Sequence, residues 1–525
     1  MITLFLLILL YSNITSNSYT TITNKKIITT LTALKGINND NIIKSSIADE
    51  LIGWDDANRN IFIDKYWQKQ PVLIRNALNN IESLLQFEFP IDLFDLACDD
   101  DVESRMIIQK RGKWIKEYGP FDRYYLDDYL NKGNWTILVQ EVDRHIPRIA
   151  DLWHKYFNIV PLWRRDDIMI SYASSGGGIG AHVDNYDVFL IQGKGRREWT
   201  IENSFVSAEE EAIREIPNVD TRLLKDFKPD QKWILEAGDM LYLPPRVPHR
   251  GISLGSDCVT ISLGFRAPSY RSIMTAFCQH VCEKAIPEKA FYSDPDLQIQ
   301  QSPALISEDA RKTMSDTISK YISTVKDDKD AFDKWLGTYL TVPLRMQLRQ
   351  PQPFFLESYI QKMENKRIKI EKTIDIENDD DKDDEDDEDD EDGMYDDDDD
   401  DDDDDILPYS VRSKHSVATK LIFKDVEEIL VAVLDGKVNL RRLEGTRIAY
   451  IPSTQTPSQS SFFIDGEEYP LPSDAAFAGP LLSDNRVLTS DLLQNYLNRS
   501  KQSSFTRVLA SLLRSGLFYP IDKNE

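Results

Sequence analysis

In the middle of the chain, apolar and polar residues alternate over short segments, a pattern typical of half-buried β-strands. In Ile168–Tyr172 and in Arg197–Ile201, apolar side chains recur at every second position, and turn residues separate the segments. Six such segments within about 100 residues predict a β-sandwich or barrel. The predicted strands are Ile168–Tyr172, Asp187–Gln192, Arg197–Ile201, Lys232–Leu235, Asp239–Leu243 and Val259–Arg266.

Helical periodicity dominates on both sides of this strand-rich part. The N-terminal side mixes helices with two strands, Pro71–Arg75 and Val102–Gln109. The helices predicted there are Ile63–Gln70, Asp92–Ala97, Tyr124–Leu130 and Val142–Phe157. Those predicted after Pro268 are Ser272–Glu283, Ser307–Val325, Lys329–Leu340 and Pro353–Lys366. The second set is too small for a large core of its own, so we interpret it as a helical oligomer interface.

From Ile406 onward the pattern predicts a small α+β unit whose order of elements resembles a winged helix. The predicted elements are helix Phe423–Val433, strands Val438–Leu443 and Thr446–Ile451, and helices Thr489–Asn498 and Ser503–Ser515. This part carries 14 Lys or Arg against 13 Asp or Glu. A balanced charge does not favour direct DNA binding, so we expect a protein-contact module.

The net charge of −27 is concentrated in one segment. Between Asp375 and Asp405 there are 25 acidic residues and one lysine, so the rest of the chain carries only about −3. Mutually repelling carboxylates cannot form a packed core. The tract is interpreted as a solvated linker, with the attraction of basic partners such as ribosomal proteins as the alternative.

The N-terminus and the cysteines bear on the compartment. Ile2–Tyr11 is too short an apolar run to span a bilayer, so it predicts a targeting segment and no transmembrane anchor. Four cysteines in 525 residues favour a reducing compartment. The absence of acidic residues up to Lys26 favours a mitochondrial or other organellar presequence. A secretory signal or an unstructured N-terminus is the alternative for this segment, and the cytoplasm or nucleus is the alternative location.

The candidate chemistry lies between Ile168 and His249. His182 and Asp184 are two residues apart, so on an extended strand both side chains point to one face. His249, on a segment made rigid by prolines, adds a second imidazole. Two histidines and one carboxylate form the facial triad of non-haem iron oxygenases, which leaves positions for a 2-oxo acid and dioxygen. We expect these three residues to bind Fe(II), and the other four histidines to have no part in the site.

A 2-oxo acid also requires a buried cation for its distal carboxylate, and arginine suits this role because its charged fork binds in bidentate fashion. Arg196 and Arg197 compete for it. Arg197 shares its strand face with the apolar Trp199 and Ile201, so alternation predicts that Arg197 points inward.

Several motifs resemble those of the bacterial-type ribosomal oxygenases, cupin-fold JmjC enzymes that use 2-oxoglutarate to hydroxylate an arginine of a large-subunit ribosomal protein. They are Tyr66–Arg75, Asp101–Arg105, Pro161–Arg164, Asp167–Ser171, Gly176–Gly180, His182–Phe189, Gln192–Trp199 and Tyr292–Leu297. The resemblance covers roughly residues 63–366 well and the part after Ile406 more loosely. In the residues that match, it implies His182, Asp184 and His249 as iron ligands and Arg197 as the 2-oxoglutarate anchor.

The resemblance implies an all-β core of the double-stranded β-helix type with N-terminal α/β elements, a helical dimerisation domain and a C-terminal winged-helix-like domain. The predicted boundaries are 1–30 for the targeting segment, 48–268 for the catalytic domain, 269–370 for the helical domain, 371–405 for the acidic linker and 406–525 for the last domain. We expect a homodimer that acts on a ribosomal protein with Fe(II), 2-oxoglutarate and O2.

Three other functions are to be weighed against these motifs. Related ribosomal oxygenases act on histidine, so a histidine target keeps the chemistry and changes the substrate. A lysine demethylase of the JmjC class is less favoured, because no segment resembles a chromatin-reading module. A non-catalytic cupin that serves as an interaction platform is disfavoured by the intact triad and by Arg197.

Overall fold

The computed structural model describes residues 50–216, 223–300, 302–343, 426–452, 460–497 and 503–523. The predicted targeting segment, the acidic tract and the predicted helix Pro353–Lys366 lie outside these ranges. The chain divides into two compact units, one of 49–267 with 337–525 and one that includes 268–336. No helix among the described residues is long and apolar enough to cross a membrane.

The N-terminal part of the first unit alternates short helices and strands around an aromatic core. Asp55 caps the first helix by accepting a hydrogen bond from the backbone N–H of Asn58, and Phe62 on that helix packs its ring against Tyr242 and Phe189. The elements are β1 (Glu50–Ile52), α1 (Asp56–Lys65), β2 (Val72–Arg75), α2 (Ile81–Leu85), α3 (Ile91–Ala97), β3 (Ser104–Lys110), β4 (Lys113–Tyr118), α4 (Arg123–Tyr129), β5 (Trp135–Val139), α5 (Val142–His145) and α6 (Pro147–Tyr156).

The strand-rich part follows and completes a nine-stranded sheet with the order β1-β2-β10-β7-β12-β6-β5-β3-β4. Its central strands β10 and β12 are buried along their whole length, which explains their nearly continuous apolar sequences. A second sheet has the order β11-β8-β9. The elements are β6 (Arg165–Ala173), β7 (Asp187–Lys194), β8 (Arg197–Ile201), α7 (Ala208–Arg214), β9 (Gln231–Leu235), β10 (Met240–Leu243), β11 (His249–Ser253) and β12 (Cys258–Phe265).

The helices after Pro268 are α8 (Tyr270–Lys284), α9 (Glu308–Lys326) and α10 (Lys329–Thr341). Within the second unit, the ring of Phe277 lies 4.8 Å from that of Trp335. This unit also leaves large apolar side chains exposed, among them Tyr270, Phe291 and Ile299. Its core is small, as the sequence pattern predicted.

The C-terminal part has its own apolar core, formed by α11, α14 and β13 among others. Two three-stranded antiparallel sheets are present, with the orders β17-β13-β18 and β14-β15-β16. The elements are α11 (Val426–Leu434), β13 (Val438–Arg442), β14 (Ile448–Pro452), β15 (Ser460–Ile464), β16 (Glu467–Tyr469), α12 (Ala478–Asp484), β17 (Val487–Leu488), α13 (Ser490–Gln494), α14 (Ser504–Arg514) and β18 (Phe518–Asp522).

Three predictions of secondary structure are wrong. The single helix predicted from Val142 to Phe157 is two helices, because the residue before Pro147 takes an extended conformation. The first helix is Asp56–Lys65, not Ile63–Gln70. The segment with His182 and Asp184 is not part of a strand and makes only one isolated β-bridge, His182 with His249. The predicted domain boundaries stay predictions.

Candidate metal and oxo-acid site

The structure brings His182, Asp184 and His249 together. Nε2 of His249 lies 3.5 Å from one carboxylate oxygen of Asp184, and Nε2 of His182 lies 3.9 Å from the other. One ligand atom from each residue falls within 4.8 Å of the others, in the one such cluster found among the described residues. Two imidazole nitrogens and a carboxylate oxygen at these separations can share one metal ion and leave its opposite side open.

Two backbone segments deliver these side chains. The loop before β7 carries His182 and Asp184, and β11 begins at His249. The backbone N–H groups of His182 and His249 each donate to the other residue's carbonyl, at 3.1 and 3.0 Å, and the N–H of Arg246 donates to the carbonyl of Asp184 at 2.8 Å. The isolated β-bridge between His182 and His249 therefore brings the two histidines together, although their alignment was predicted from a strand.

Glycines allow these segments to approach closely. A Cβ on Gly178 would lie 2.4 Å from the carbonyl oxygen of Gly251 in β11, and one on Gly177 would lie 2.2 Å from that of Trp135 in β5. Gly251 in turn faces the ring of Trp199, which a Cβ there would meet at 2.8 Å. The glycine-rich segment is thus required for the close packing of this loop against both sheets.

Backbone carbonyls set the tautomer of both histidines. Nδ1 of His182 lies 3.1 Å from the oxygen of Gly180, and Nδ1 of His249 lies 2.9 Å from that of Val247. A carbonyl only accepts hydrogen bonds, so each Nδ1 carries the proton and each Nε2 is left as a lone-pair donor. Burial, with a smaller contribution from His182, lowers the pKa of His249 to about 4, so its imidazole is neutral at physiological pH, as a metal ligand must be.

Arg197 is only 3% exposed, whereas the neighbouring Arg196 is exposed. The prediction from strand parity is confirmed in this respect. Nε and Nη2 of Arg197 have no hydrogen-bond partner among the described residues, and neither does Nε1 of Trp199. The Trp199 ring lies 5.9 Å from the ring of His249, and the Arg197 guanidinium lies 5.9 Å from the Trp199 ring. Buried donors without acceptors suit an anionic ligand that reaches from the histidines to Arg197.

Arg246 is a part of the site that the sequence did not reveal. It has a left-handed φ of 73°, and its side chain donates to Asn185 Oδ1 at 2.7 Å and to the carbonyl of Val206 at 2.8 Å. It also forms an ion pair with the buried Glu211 on α7. Arg246 therefore ties the turn before His249 to the residue after Asp184. No sequence pattern marks it, because neither the left-handed backbone nor the contacts can be read from spacing.

The remaining histidines of the described residues take no part in this cluster. His145 and His154 lie on α5 and α6, and His280 lies on α8. Cys278 and Cys282 are free thiols on the same helix. His415 lies outside the described residues.

A β-rich core that presents two histidines, one carboxylate and a buried arginine defines the class of JmjC-type oxygenases, which use Fe(II) and 2-oxoglutarate. The family model of the JmjC domain matches residues 151–273. The donor set fits iron, and the unpartnered Arg197 fits the carboxylate of the oxo acid.

Comparison with known proteins narrows the class. The chain is 33% identical over 304 residues to the ribosomal protein uL16 3-hydroxylase of Escherichia coli. This alignment covers 58% of the present chain and 75% of the relative. The structure of YcfD, a ribosomal oxygenase from Escherichia coli, in complex with cobalt and 2-oxoglutarate matches with a TM-score of 0.59 and 26% identity, over 88% of this chain and 98% of that one. A shorter match, 28% over 111 residues, covers 21% of this chain and 17% of the bifunctional lysine-specific demethylase and histidyl-hydroxylase NO66 of Drosophila erecta.

The chain belongs to the bacterial-type ribosomal oxygenases. It is therefore an enzyme, a 2-oxoglutarate-dependent hydroxylase with Fe(II) as its metal, and not a non-catalytic cupin. The predicted cupin-type core is confirmed.

Proposed function

We propose that this enzyme hydroxylates an arginine side chain of a large-subunit ribosomal protein, with His182, Asp184 and His249 as the iron ligands and Arg197 as the 2-oxoglutarate anchor. The proposal is carried by the convergence of the three ligand atoms, together with a buried guanidinium with two unpartnered nitrogens on β8, the strand paired with β11. The Escherichia coli relative, named for its action on uL16, supports the ribosomal substrate.

Iron, when bound, supplies the activation of O2 that inserts one oxygen atom into a C–H bond while 2-oxoglutarate becomes succinate and CO2. The protein's own residues prepare this step. The Gly180 and Val247 carbonyls fix the orientation of the two imidazoles, and burial keeps that of His249 neutral. Arg197 fixes the far end of the oxo acid, and burial of His249, which is 2% exposed, holds that imidazole in place.

Arginine is the first candidate because the resemblance of this chain's motifs to the bacterial-type ribosomal oxygenases implies it, and the longer sequence match is to a ribosomal protein hydroxylase. The uL16 hydroxylase aligns over 75% of its length, whereas the histidyl-hydroxylase NO66 aligns over 17%. The second match keeps a histidine target as the second candidate, because that relative is named for histidine hydroxylation and shares part of this chain's sequence. Both candidates use the same site and differ in the side chain that enters it.

Mass spectrometry of ribosomal proteins incubated with the enzyme, Fe(II) and 2-oxoglutarate distinguishes these candidates. We expect one added oxygen atom on an arginine of a large-subunit protein; an oxygen on a histidine would replace the first candidate by the second. His182→Ala and Asp184→Ala are expected to abolish both the modification and succinate formation, whereas Arg196→Gln should leave them intact. Unchanged succinate formation in the two ligand variants would contradict the site assignment.

The proposed assembly is a homodimer formed through the helices after Pro268, with the C-terminal winged-helix-like part as a protein-contact module. Exposed apolar side chains in the same unit, Tyr270 on α8 and Phe291 and Ile299 between α8 and α9, support this proposal. Light scattering of the full chain is expected to give the mass of a dimer, and Ile299→Asp should shift it toward the monomer. Glu308→Asp, a conservative change of an exposed residue in the same unit, should not. A wild-type monomer at micromolar concentration would contradict the proposal.

A further inference from the structure

A second polar cavity lies away from the triad, between α6, β6 and the C-terminal part that begins at Val426. Its volume is about 70 Å3. The lining includes Arg165 and His154 from the catalytic part and Arg442, Thr446 and Arg486 from the C-terminal part. All of these residues belong to the same compact unit.

Two of these arginines are buried without a carboxylate partner among the described residues. Arg165 is 9% exposed and donates to the Trp153 carbonyl at 3.0 Å. Arg442 is 4% exposed and donates to the carbonyls of Leu482 and Ser483 at 3.0 and 3.1 Å. Buried charges are normally paired, because neutral acceptors recover only part of the lost hydration free energy.

His154 joins the two guanidinium groups. Its Nε2 lies 3.4 Å from Nη1 of Arg165 and 3.3 Å from Nη2 of Arg442. Guanidinium nitrogens only donate, so this Nε2 accepts from both sides and the imidazole is neutral. Burial and the surrounding arginines agree with this state, because they lower the pKa of His154 to about 2. His154 is thus a bridging acceptor that brings no negative charge.

The acidic residues around the cavity have partners of their own. Asp143 accepts from Trp153 Nε1 and from the N–H of Ile168, at 2.9 and 2.8 Å. Asp166 pairs with Arg447 at 3.6 Å. Burial raises the pKa of Asp167 to about 7, which removes part of its negative charge near neutral pH. The Arg165–Arg442 end of the cavity therefore keeps a positive excess.

Nε of Arg165 and Oγ1 of Thr446 are buried at this cavity without a hydrogen-bond partner among the described residues. Arg165 belongs to the catalytic part and Thr446 to the C-terminal part, so both parts that line the cavity contribute one such atom. Two other cavity atoms that lack a hydrogen bond face an opposite charge: Nε of Arg486 lies 2.7 Å from Asp151, and Oδ1 of Asp166 lies 3.6 Å from Arg447. We propose that the cavity binds one compact tetrahedral oxyanion of the phosphate or sulfate class, held by Arg165, Arg442 and Thr446. The anion neutralises the two guanidinium groups and joins the C-terminal part to the catalytic part.

Calorimetric titration of the full chain tests the proposal. Protein dialysed into chloride buffer is titrated with inorganic phosphate, sulfate and glycerol 2-phosphate at constant ionic strength, and phosphate retained after dialysis is measured on denatured protein. We expect one phosphate or sulfate per chain, bound or retained, and weaker binding of the bulkier ester. Neither binding nor retention of phosphate or sulfate would overturn the proposal.

Variants locate the anion. Thr446→Val removes one unpartnered hydroxyl without a change of shape and should weaken phosphate binding by about 2- to 10-fold. Thr136→Val removes another buried, unpartnered hydroxyl outside this cavity and should not alter it. Arg165→Gln should weaken binding further, and Arg197→Gln should leave it unchanged. Equal affinities for the two threonine variants, or loss of binding in Arg197→Gln, would place the anion elsewhere and overturn the proposal.

Discussion

Replacement of Arg197 by glutamine separates the two roles of a buried cation, ligand binding and stability. The side chain is 3% exposed, and two of its nitrogens have no partner among the described residues. Glutamine keeps a polar donor on a shorter side chain but removes the charge and the bidentate fork. The variant should therefore bind 2-oxoglutarate weakly without a large change in the fold.

The magnitude follows from the hydrogen bonds that are lost. Hydrogen bonds to a charged group contribute about 1.5–3 kcal/mol each, and two would join Arg197 to the distal carboxylate. Glutamine recovers one of them in neutral form, so a net loss of about 3–4 kcal/mol is expected. This loss raises KM for 2-oxoglutarate by about 10²- to 10³-fold at 25 °C. The ligand-free variant should be as stable as wild type or more so, because an unpaired buried charge is gone.

Two measurements check this reasoning. Succinate formation against 2-oxoglutarate concentration gives KM, and thermal unfolding with and without 2-oxoglutarate gives the stabilisation by ligand. Arg196→Gln is the matched control, because Arg196 is exposed and directly precedes Arg197 in the chain. The KM of this variant for 2-oxoglutarate should stay within about 2-fold of wild type. A KM for Arg197→Gln within 5-fold of wild type, or a large increase for Arg196→Gln, would refute the assignment.

Three further predictions concern stability and metal binding. The pKa of His154 is lowered in the folded protein, so its contribution to stability is lost as the pH falls below the unfolded-state pKa of about 6.5. Between pH 8 and pH 5 the free energy of unfolding, measured with urea, should fall by about 2 kcal/mol more in wild type than in His154→Gln. Gly178→Ala should destabilise the protein by about 1–3 kcal/mol, because its Cβ would meet the Gly251 carbonyl. Arg246→Gln should weaken Fe(II) affinity by about 10- to 100-fold in anaerobic titration, because it frees the turn before His249.

Each of these three predictions has a control. Comparison of wild type with His154→Gln cancels the opposite pH slope of Asp167, whose raised pKa costs stability as pH rises; parallel pH profiles would contradict the prediction. Gly255→Ala adds a Cβ that meets nothing within 4 Å and should be nearly neutral. Arg196→Gln should bind Fe(II) as wild type does, and an Fe(II) affinity of Arg246→Gln equal to wild type would exclude its positioning role.

The sequence predicted those parts of the fold that depend on local pattern. Strand β8 has the predicted bounds, and its alternation correctly placed Arg197 inside and Arg196 outside. Helices α8 to α10 lie within two residues of their predicted ends. In both cases the pattern of buried positions repeats within the segment itself, so it can be read without knowledge of the partner.

The missed features depend on distant partners. Strand β11 is short and follows three prolines, Pro244, Pro245 and Pro248, and it pairs with residues of β8 that lie about 50 positions earlier in the chain. The His182 segment has the composition of a strand, but the N–H and carbonyl of His182 pair only with His249. The hairpin β15–β16 and the Arg165–His154–Arg442 contact were also missed, since spacing along the chain does not encode contacts between remote segments.

Two isolated β-bridges, Gly178 with Ile252 and His182 with His249, join the His182 loop to β11, so the proposed metal centre forms only when these remote segments have paired. The three ligands come from two segments 65 residues apart, so a partly folded chain offers at most His182 and Asp184 together. Only the closed core adds His249, and a bound ion then acts as a cross-link that stabilises the native state by mass action. A chain in which the loop has not paired with β11 therefore lacks the third proposed ligand and is expected to bind Fe(II) weakly.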